Sequence, residues 1–184
     1  RQVENFILLL EETGFNTNFA PVIDIAINPH NAVIVQKERS FSDIPETVVE
    51  HSAIFIEEHI RRDILPVAKH FPGHGSSEMD SHLGWTDVTR TWQPLELKPY
   101  ELLQAKALLP AVMVAHIYNS AFDSNFPASL SHIWIEEILR KEIGFSGVVF
   151  SDDLQMKAIS DNFAFEESIE FAINAGVDVL LFAN

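Results

Sequence analysis

The chain is 184 residues long and 47 per cent hydrophobic, enough to build a sizeable core without covalent staples. It contains no cysteine, which excludes disulfides and thiolate metal sites, and its net charge of −15 argues against sequence-independent binding to nucleic acid, which needs a basic face. The longest apolar stretches are far too short to cross a bilayer, and the acidic field is easier to reconcile with a small, neutral or cationic partner.

Five apolar runs read as buried strands, each stopping at a polar residue, with helical patterns between them. The first covers residues 19–24 and ends on Asp24. Asp43, with Glu46 three residues on, then resembles a capping box, and Val49, Ala53, Phe55, Ile56 and Ile60 give the following helix an apolar face. The second strand, 64–70, ends on Lys69 and His70. From Phe71 to about Pro94 there is no sustained period, and Pro72, Gly73, Gly75 and Gly84 punctuate a loop long enough to suggest function. The third strand, 111–116, ends on His116. A helix starts after Ser131, turns Ile135, Ile138 and Leu139 inward, and stops at Gly144. The fourth strand, 147–152, ends on Asp152; a last helix from about 165 to 175 is closed by Gly176 and feeds a fifth strand, 177–184.

Valine- and isoleucine-rich strands separated by helices imply a parallel sheet covered on both faces, either doubly wound or closed into a barrel. The polar strand ends favour the (β/α)8 TIM barrel, an α/β fold whose catalytic groups sit at the carboxyl ends of several strands. Neither glycine-rich phosphate loop of the doubly wound folds, GxGxxG or GxxxxGK[ST], occurs. A full barrel takes roughly 250 residues, so five units in this chain read as an incomplete one.

The densest cluster of catalytic residue types is Lys69-His70-Phe71-Pro72-Gly73-His74-Gly75, followed in the same loop by Asp80-Ser81-His82. A metal site is not expected, because Pro72 and Gly73 prevent the helix that would present His70 and His74 as a pair. His74 is expected to order its turn, while His116 is equally suited to lining a pocket or to a bonded place in the core. Trp134 reads as core; Trp85 and Trp92 either stack on a ligand or pack the loop. The second motif is Gly144-Phe145-Ser146-Gly147-Val148-Val149-Phe150-Ser151-Asp152-Asp153-Leu154-Gln155-Met156.

Together with Asn18-Phe19-Ala20-Pro21-Val22-Ile23-Asp24, Arg39-Ser40-Phe41 and Ala175-Gly176-Val177-Asp178, these motifs closely resemble glycoside hydrolase family 3, and within it the bacterial β-N-acetylhexosaminidases acting on cell-wall sugars. The resemblance covers nearly the whole chain. It implies that residues 1–184 are part of the family's N-terminal catalytic barrel, approximately its third to seventh β/α units, with the first two strands and the last absent.

It further implies a retaining glycosidase for terminal β-linked N-acetylglucosamine, with Asp152 as nucleophile, His82 as acid and base, and Asp80 as the partner that fixes the His82 tautomer. Asp24, Arg39, Lys69 and His70 match positions that hold the sugar. Asp153 should point away from Asp152, by the period-two alternation of a strand, and is expected to be structural. The implied partner is a small carbohydrate containing N-acetylglucosamine, with no cofactor. Two alternatives stand beside this reading: a phosphorylase sharing the covalent intermediate, and a non-catalytic sugar-binding relative. An acidic, cysteine-free chain suits the bacterial cytoplasm, though it opens on Arg1, so an export signal ahead of it is left open.

Overall fold

A computed structural model describes residues 2–78 and 84–183. Among the described residues, eight short strands and five α-helices alternate along the chain. The central sheet contains β3 (Ala68–Phe71), β5 (Ala111–Val114), β7 (Val148–Asp153) and β8 (Val179–Leu181), all parallel and paired in that order. Along this sheet the strands follow one another in chain order, with β4 and β6 paired apart from it. A doubly wound sheet reverses its strand order at a switch point, whereas steady progression is the order of a barrel wall. β1 (Thr17–Asn18) pairs with β2 (Leu65–Pro66), Val22 bridges Lys69, and the wall is thereby extended on its β3 side. Among the described residues the wall does not close, as expected for a partial barrel.

Four of the five predicted strands match regular elements. The run at 19–24 does not: pairing is confined to β1, the Val22 bridge and the flanking bonds Lys69 N–H to Pro21 O (3.1 Å) and Ile23 N–H to Lys69 O (2.8 Å). Pro21 has no N–H to give a ladder, so the strand is interrupted where it would otherwise be longest.

Alternation along the strands builds two apolar layers. Ala68, Val112, Val114 and Val149 belong to the main core beneath the helices, while Val67, Ala111, Met113 and Phe150 form a second cluster facing the barrel interior. Burial on both faces is why these strands read as continuous hydrophobic runs. Phe71 anchors the main core edge-on to Tyr100 and Trp134, at centroid distances of 5.1 and 6.2 Å. Such a ring is worth about 2–3 kcal/mol of burial.

The helices adjust the predicted faces. α1 (Gln2–Glu12), unforeseen from the sequence, buries Ile7, reaches α2 through the Phe6–Phe55 ring contact, and holds the turn after α2 through the Glu11–Arg62 ion pair. α2 (Pro45–Ile60) turns in Val48, Val49, Ser52, Ile56 and His59 and leaves Ile60 exposed. Its start is not the Asp43/Glu46 capping box: Pro45 opens the helix, and the residue before it, Ile44, makes no side-chain cap. α3 spans Lys98–Ala105. The segment Ile133–Glu142 is π-helical, closed by Ile143 N–H to Ile138 O at 3.0 Å, and buries Trp134, Ile135, Ile138 and Leu139. A short α4 (Lys157–Ser160) precedes α5 (Phe165–Ala175). Gly176, at φ 103°, ends α5, with its N–H and that of Val177 bonded back to Ile173 and Ala172. The loop at 71–94 carries one short strand among its described residues, β4 (Thr86–Asp87), paired with β6 (Ile117–Tyr118) beyond the sheet.

Candidate active site

Strand register brings the polar ends together. Lys69 pairs with Met113, and Met113 with Phe150, so all three lie at one level; Asp152 follows at the carboxyl end of β7, past a register shift, near enough to Lys69, His70 and His116 for their charges to act on it. Asp153 turns the other way, and its Oδ1 accepts the N–H groups of Gln155 (3.0 Å) and Ala183 (3.2 Å). It ties the exit of β7 to the end of β8, as a structural residue would.

Asp152 is half-buried, and its Oδ1 accepts the N–H of Asp153 at 2.9 Å. Burial pushes its carboxyl up, but His116, His70, that N–H and Lys69 together hold it below the ordinary carboxylate range. Burial pulls the Lys69 ammonium down, and Arg39 adds to this while Asp152 and Asp24 oppose it. The result at the strand ends is an ionised acid beside a crowded cationic pair.

Behind them lies a chain of hydrogen bonds. The Asp24 side chain is fully covered; Oδ2 lies 2.7 Å from His70 Nδ1, and Oδ1 accepts the N–H of His74 at 2.8 Å. The opposite ring nitrogen, His70 Nε2, is 3.4 Å from Arg39 Nη2, and Arg39 Nη1 donates to Val33 O at 3.2 Å. Burial of Asp24 favours its neutral form, yet His70 and His74 outweigh this and leave its pKa below the ordinary value. The Asp24 side chain has no exposed surface in this arrangement. Arg39, Lys69 and His70 are brought to one end of the wall with Asp152.

The turn after β3 is held by two residues that sequence reasoning missed. Asn31, wholly buried, donates from Nδ2 to His74 O (2.7 Å) and Ser77 Oγ (3.0 Å), while its Oδ1 accepts the N–H groups of Val33 (2.9 Å) and Ile34 (2.7 Å). Glu96 accepts from Gly75 N–H (2.9 Å) and Ser76 N–H (3.2 Å) on Oε2 and from Gln93 N–H (3.3 Å) on Oε1. Burial pushes the Glu96 carboxyl up to about 7. The only trace of Glu96 in the sequence is its spacing from Gln93 across Pro94, which starts a 3₁₀ turn at Pro94–Leu97. Gly75 is obligatory, because a Cβ there would overlap the carbonyl oxygen of Ile25.

His74 orders this turn as expected: its ring Nδ1 meets Ser77 Oγ at 2.7 Å, and burial together with His70 pulls its pKa down to about 4. His116 is buried, with Nδ1 2.6 Å from Ser129 Oγ and Nε2 2.8 Å from Asp153 O, so it is a bonded core histidine adjoining the site. Trp134 is core, and Trp92 packs the loop, its Nε1 donating to Pro72 O at 3.1 Å. Trp85 lies against Tyr118, at a centroid distance of 4.9 Å. Asp80 and His82 lie outside the described residues.

Among the described residues no group of three or more His, Asp or Glu side chains is arranged to hold a metal, and no helix is long and apolar enough to cross a membrane. At His70 both ring nitrogens already face partners, Asp24 and Arg39.

Residues 9–184 match the model of the glycosyl hydrolase family 3 N-terminal domain. A β-hexosaminidase of Tolumonas auensis is 38 per cent identical over 170 residues, which is 91 per cent of this chain and 49 per cent of that protein. The chain thus spans about half the length of the curated relatives it matches. Among solved structures, a family 3 β-N-acetylglucosaminidase from Paenibacillus superposes with a TM-score of 0.91 at 35 per cent identity, over 98 per cent of this chain and 34 per cent of that one. Zinc-bound CbsA from Thermotoga neapolitana does so with a TM-score of 0.90 at 36 per cent identity, over 100 and 40 per cent respectively. The chain belongs to glycoside hydrolase family 3.

Proposed function

We propose that the chain carries the catalytic centre of a retaining glycosidase that removes terminal, β-linked N-acetylglucosamine by double displacement. Asp152 attacks the anomeric carbon, and the Asp80–His82 pair protonates the leaving oxygen and then activates water. The observation that carries this reading is the state and aim of Asp152. It stands at the end of a buried strand, and its pKa, drawn below the ordinary carboxylate range by His116, His70, the Asp153 N–H and Lys69 against the pull of burial, leaves it ionised at neutral pH. A nucleophile must be the carboxylate, and rigid mounting favours in-line attack. Arg39, Lys69 and His70, gathered at the same end, would donate to ring substituents of the sugar. The choice of an N-acetyl sugar rests on the named relatives. Muropeptide fragments in a bacterial cytoplasm are the natural setting for such a substrate.

The test is turnover of an aryl N-acetyl-β-glucosaminide. Asp152→Ala should abolish it, whereas His82→Ala should leave slower turnover that worsens as the leaving group becomes poorer. Unchanged rates in both variants would refute the assignment. Running the reaction in phosphate separates hydrolysis from phosphorolysis, since only the latter yields a sugar 1-phosphate.

A further inference from the structure

We propose that Asp24 is a positioning residue, which fixes the tautomer of His70 and through it the pose of the Arg39 guanidinium, and touches no substrate. The proposal deepens the glycosidase reading and rests on it for its kinetic consequences, but its structural content stands alone. Arginine only donates, so the 3.4 Å approach of Nη2 requires a lone pair on His70 Nε2. The ring proton must then sit on Nδ1, pointing 2.7 Å away at Asp24 Oδ2. The other oxygen, Oδ1, is held by His74 N–H at 2.8 Å, and the His70 N–H lies 3.3 Å from both oxygens. Asp24 is thus clamped on several sides, with its side chain fully out of solvent. Orientation passes from the His74 backbone to Asp24, to the His70 ring, to Arg39, which is also tied through Nη1 to Val33 O.

An amide in place of the carboxylate would break the relay. In the Asp24→Asn variant the side-chain oxygen would keep the His74 N–H, while the amide would present N–H to His70 Nδ1, donor against donor. The ring would answer by moving its proton to Nε2, which then faces the donors of Arg39. The guanidinium would be turned away from its place beside Lys69, with no change in the volume of the core.

The direct measurement is nitrogen-15 NMR of the histidine rings in the wild-type protein at pH 7. His70 should be the Nδ1–H tautomer; an Nε2–H tautomer or a doubly protonated ring overturns the proposal, whatever the protein's activity proves to be. The kinetic arm compares Asp24→Asn, Arg39→Ala and the double variant on an aryl N-acetyl-β-glucosaminide. Asp24→Asn alone should lower kcat/KM on the order of tenfold to a hundredfold, the usual cost of a misplaced group. With Arg39 already removed, the same change should cost less than about threefold, because the two act as a unit. Fully multiplicative losses, or an unaltered kcat/KM in Asp24→Asn, would sink the relay. Should Asp24→Asn fail to fold, the wild-type tautomer still decides.

Discussion

Glu96 gives the sharpest stability experiment. Its carboxyl is moved from an ordinary 4.5 to about 7 by burial, so between those pH values the folded protein keeps a proton that the unfolded chain has released. Raising the pH through this window therefore costs stability, and above about 7 the penalty is complete and constant. At about 1.4 kcal/mol per pH unit, the loss attributable to this one group is about 3 kcal/mol. His74 works in the opposite sense. Its pKa falls from 6.5 to about 4, so the unfolded chain binds a proton that the folded one excludes, and stability rises with pH across that range. In the wild type the two slopes nearly cancel between pH 4.5 and 6.5. Glu96→Gln keeps an oxygen for the Gly75 and Ser76 N–H groups but cannot titrate. Urea unfolding of both proteins at pH 4.5, 5.5, 6.5 and 7.5 isolates the Glu96 contribution, because every other titrating group drops out of the difference. The wild type should lose about 3 kcal/mol relative to the variant between pH 4.5 and 7 and then run parallel to it. A difference constant to within about 1 kcal/mol, or one of opposite sign, would show that Glu96 is not buried as a proton-holding group.

Asn31→Ala removes the partners of two N–H groups and of the His74 carbonyl in a buried turn, at about 1–3 kcal/mol for each group left unsatisfied, so unfolding free energy should fall by about 3 kcal/mol or more; a loss below about 1 kcal/mol would mean that water replaces the amide. Gly75→Ala forces a methyl against the Ile25 backbone, and breaking the Glu96 and Asn28 bonds to Gly75 should cost about 3 kcal/mol and depress activity; a wild-type melting temperature would contradict the packing described. Exhaustive treatment with a chelator should leave turnover of an aryl N-acetyl-β-glucosaminide intact, and restoration of lost activity by zinc would place a metal in the reaction.

The barrel wall was legible because parallel strands buried on both faces leave an unmistakable signature, and because each run stops at the polar group it delivers. The first strand was legible only as an apolar run, since Pro21 interrupts its ladder without interrupting its hydrophobicity. The α2 face was misread because Ser52 and His59 occupy the buried stripe; His59 is accommodated by bonds from Nδ1 to Phe55 O (2.8 Å) and with Asn18 Nδ2 (2.9 Å), which no periodicity records. The π-helical winding of Ile133–Glu142 is equally silent, because its inward residues recur at spacings an α-helix would also use. Asp24 could be placed at a strand end, but its burial depends on His70 and His74, which lie 46 and 50 residues further on. Asn31 and Glu96 carry no motif of their own: each is a single polar residue whose partners are mostly backbone groups of a distant turn.

Two buried carboxylates grip the turn that follows β3, and their environments drive them apart. Asp24 faces a histidine ring N–H and two backbone N–H groups, and lies near Lys69 and the Arg39–His70 pair, so charge is stabilised there despite full burial. Glu96 is met by backbone N–H groups alone, and burial, with repulsion from Asp24 added, outweighs them, so its pKa rises instead. Pairs of acids pushed apart in this way commonly mark sites of catalysis. Here both acids hold backbone N–H groups of one turn, and the division serves the scaffold. The anion is placed where it can polarise His70 toward the site, and the proton-holding acid is placed at the back of the turn, where a second fixed charge would oppose the first. It follows that acid should weaken only one of the two supports. Falling pH protonates Glu96 at no cost to the fold, while Asp24, whose pKa lies below 3.8, retains its contribution until more acid conditions and loses it as that lower pKa is passed. Circular dichroism on acid titration should therefore show the turn's aromatic neighbours, Trp92 and Trp134, undisturbed by the protonation of Glu96 and released only with that of Asp24; loss of their near-ultraviolet signal between pH 7 and 5 would place the weak point at Glu96 instead.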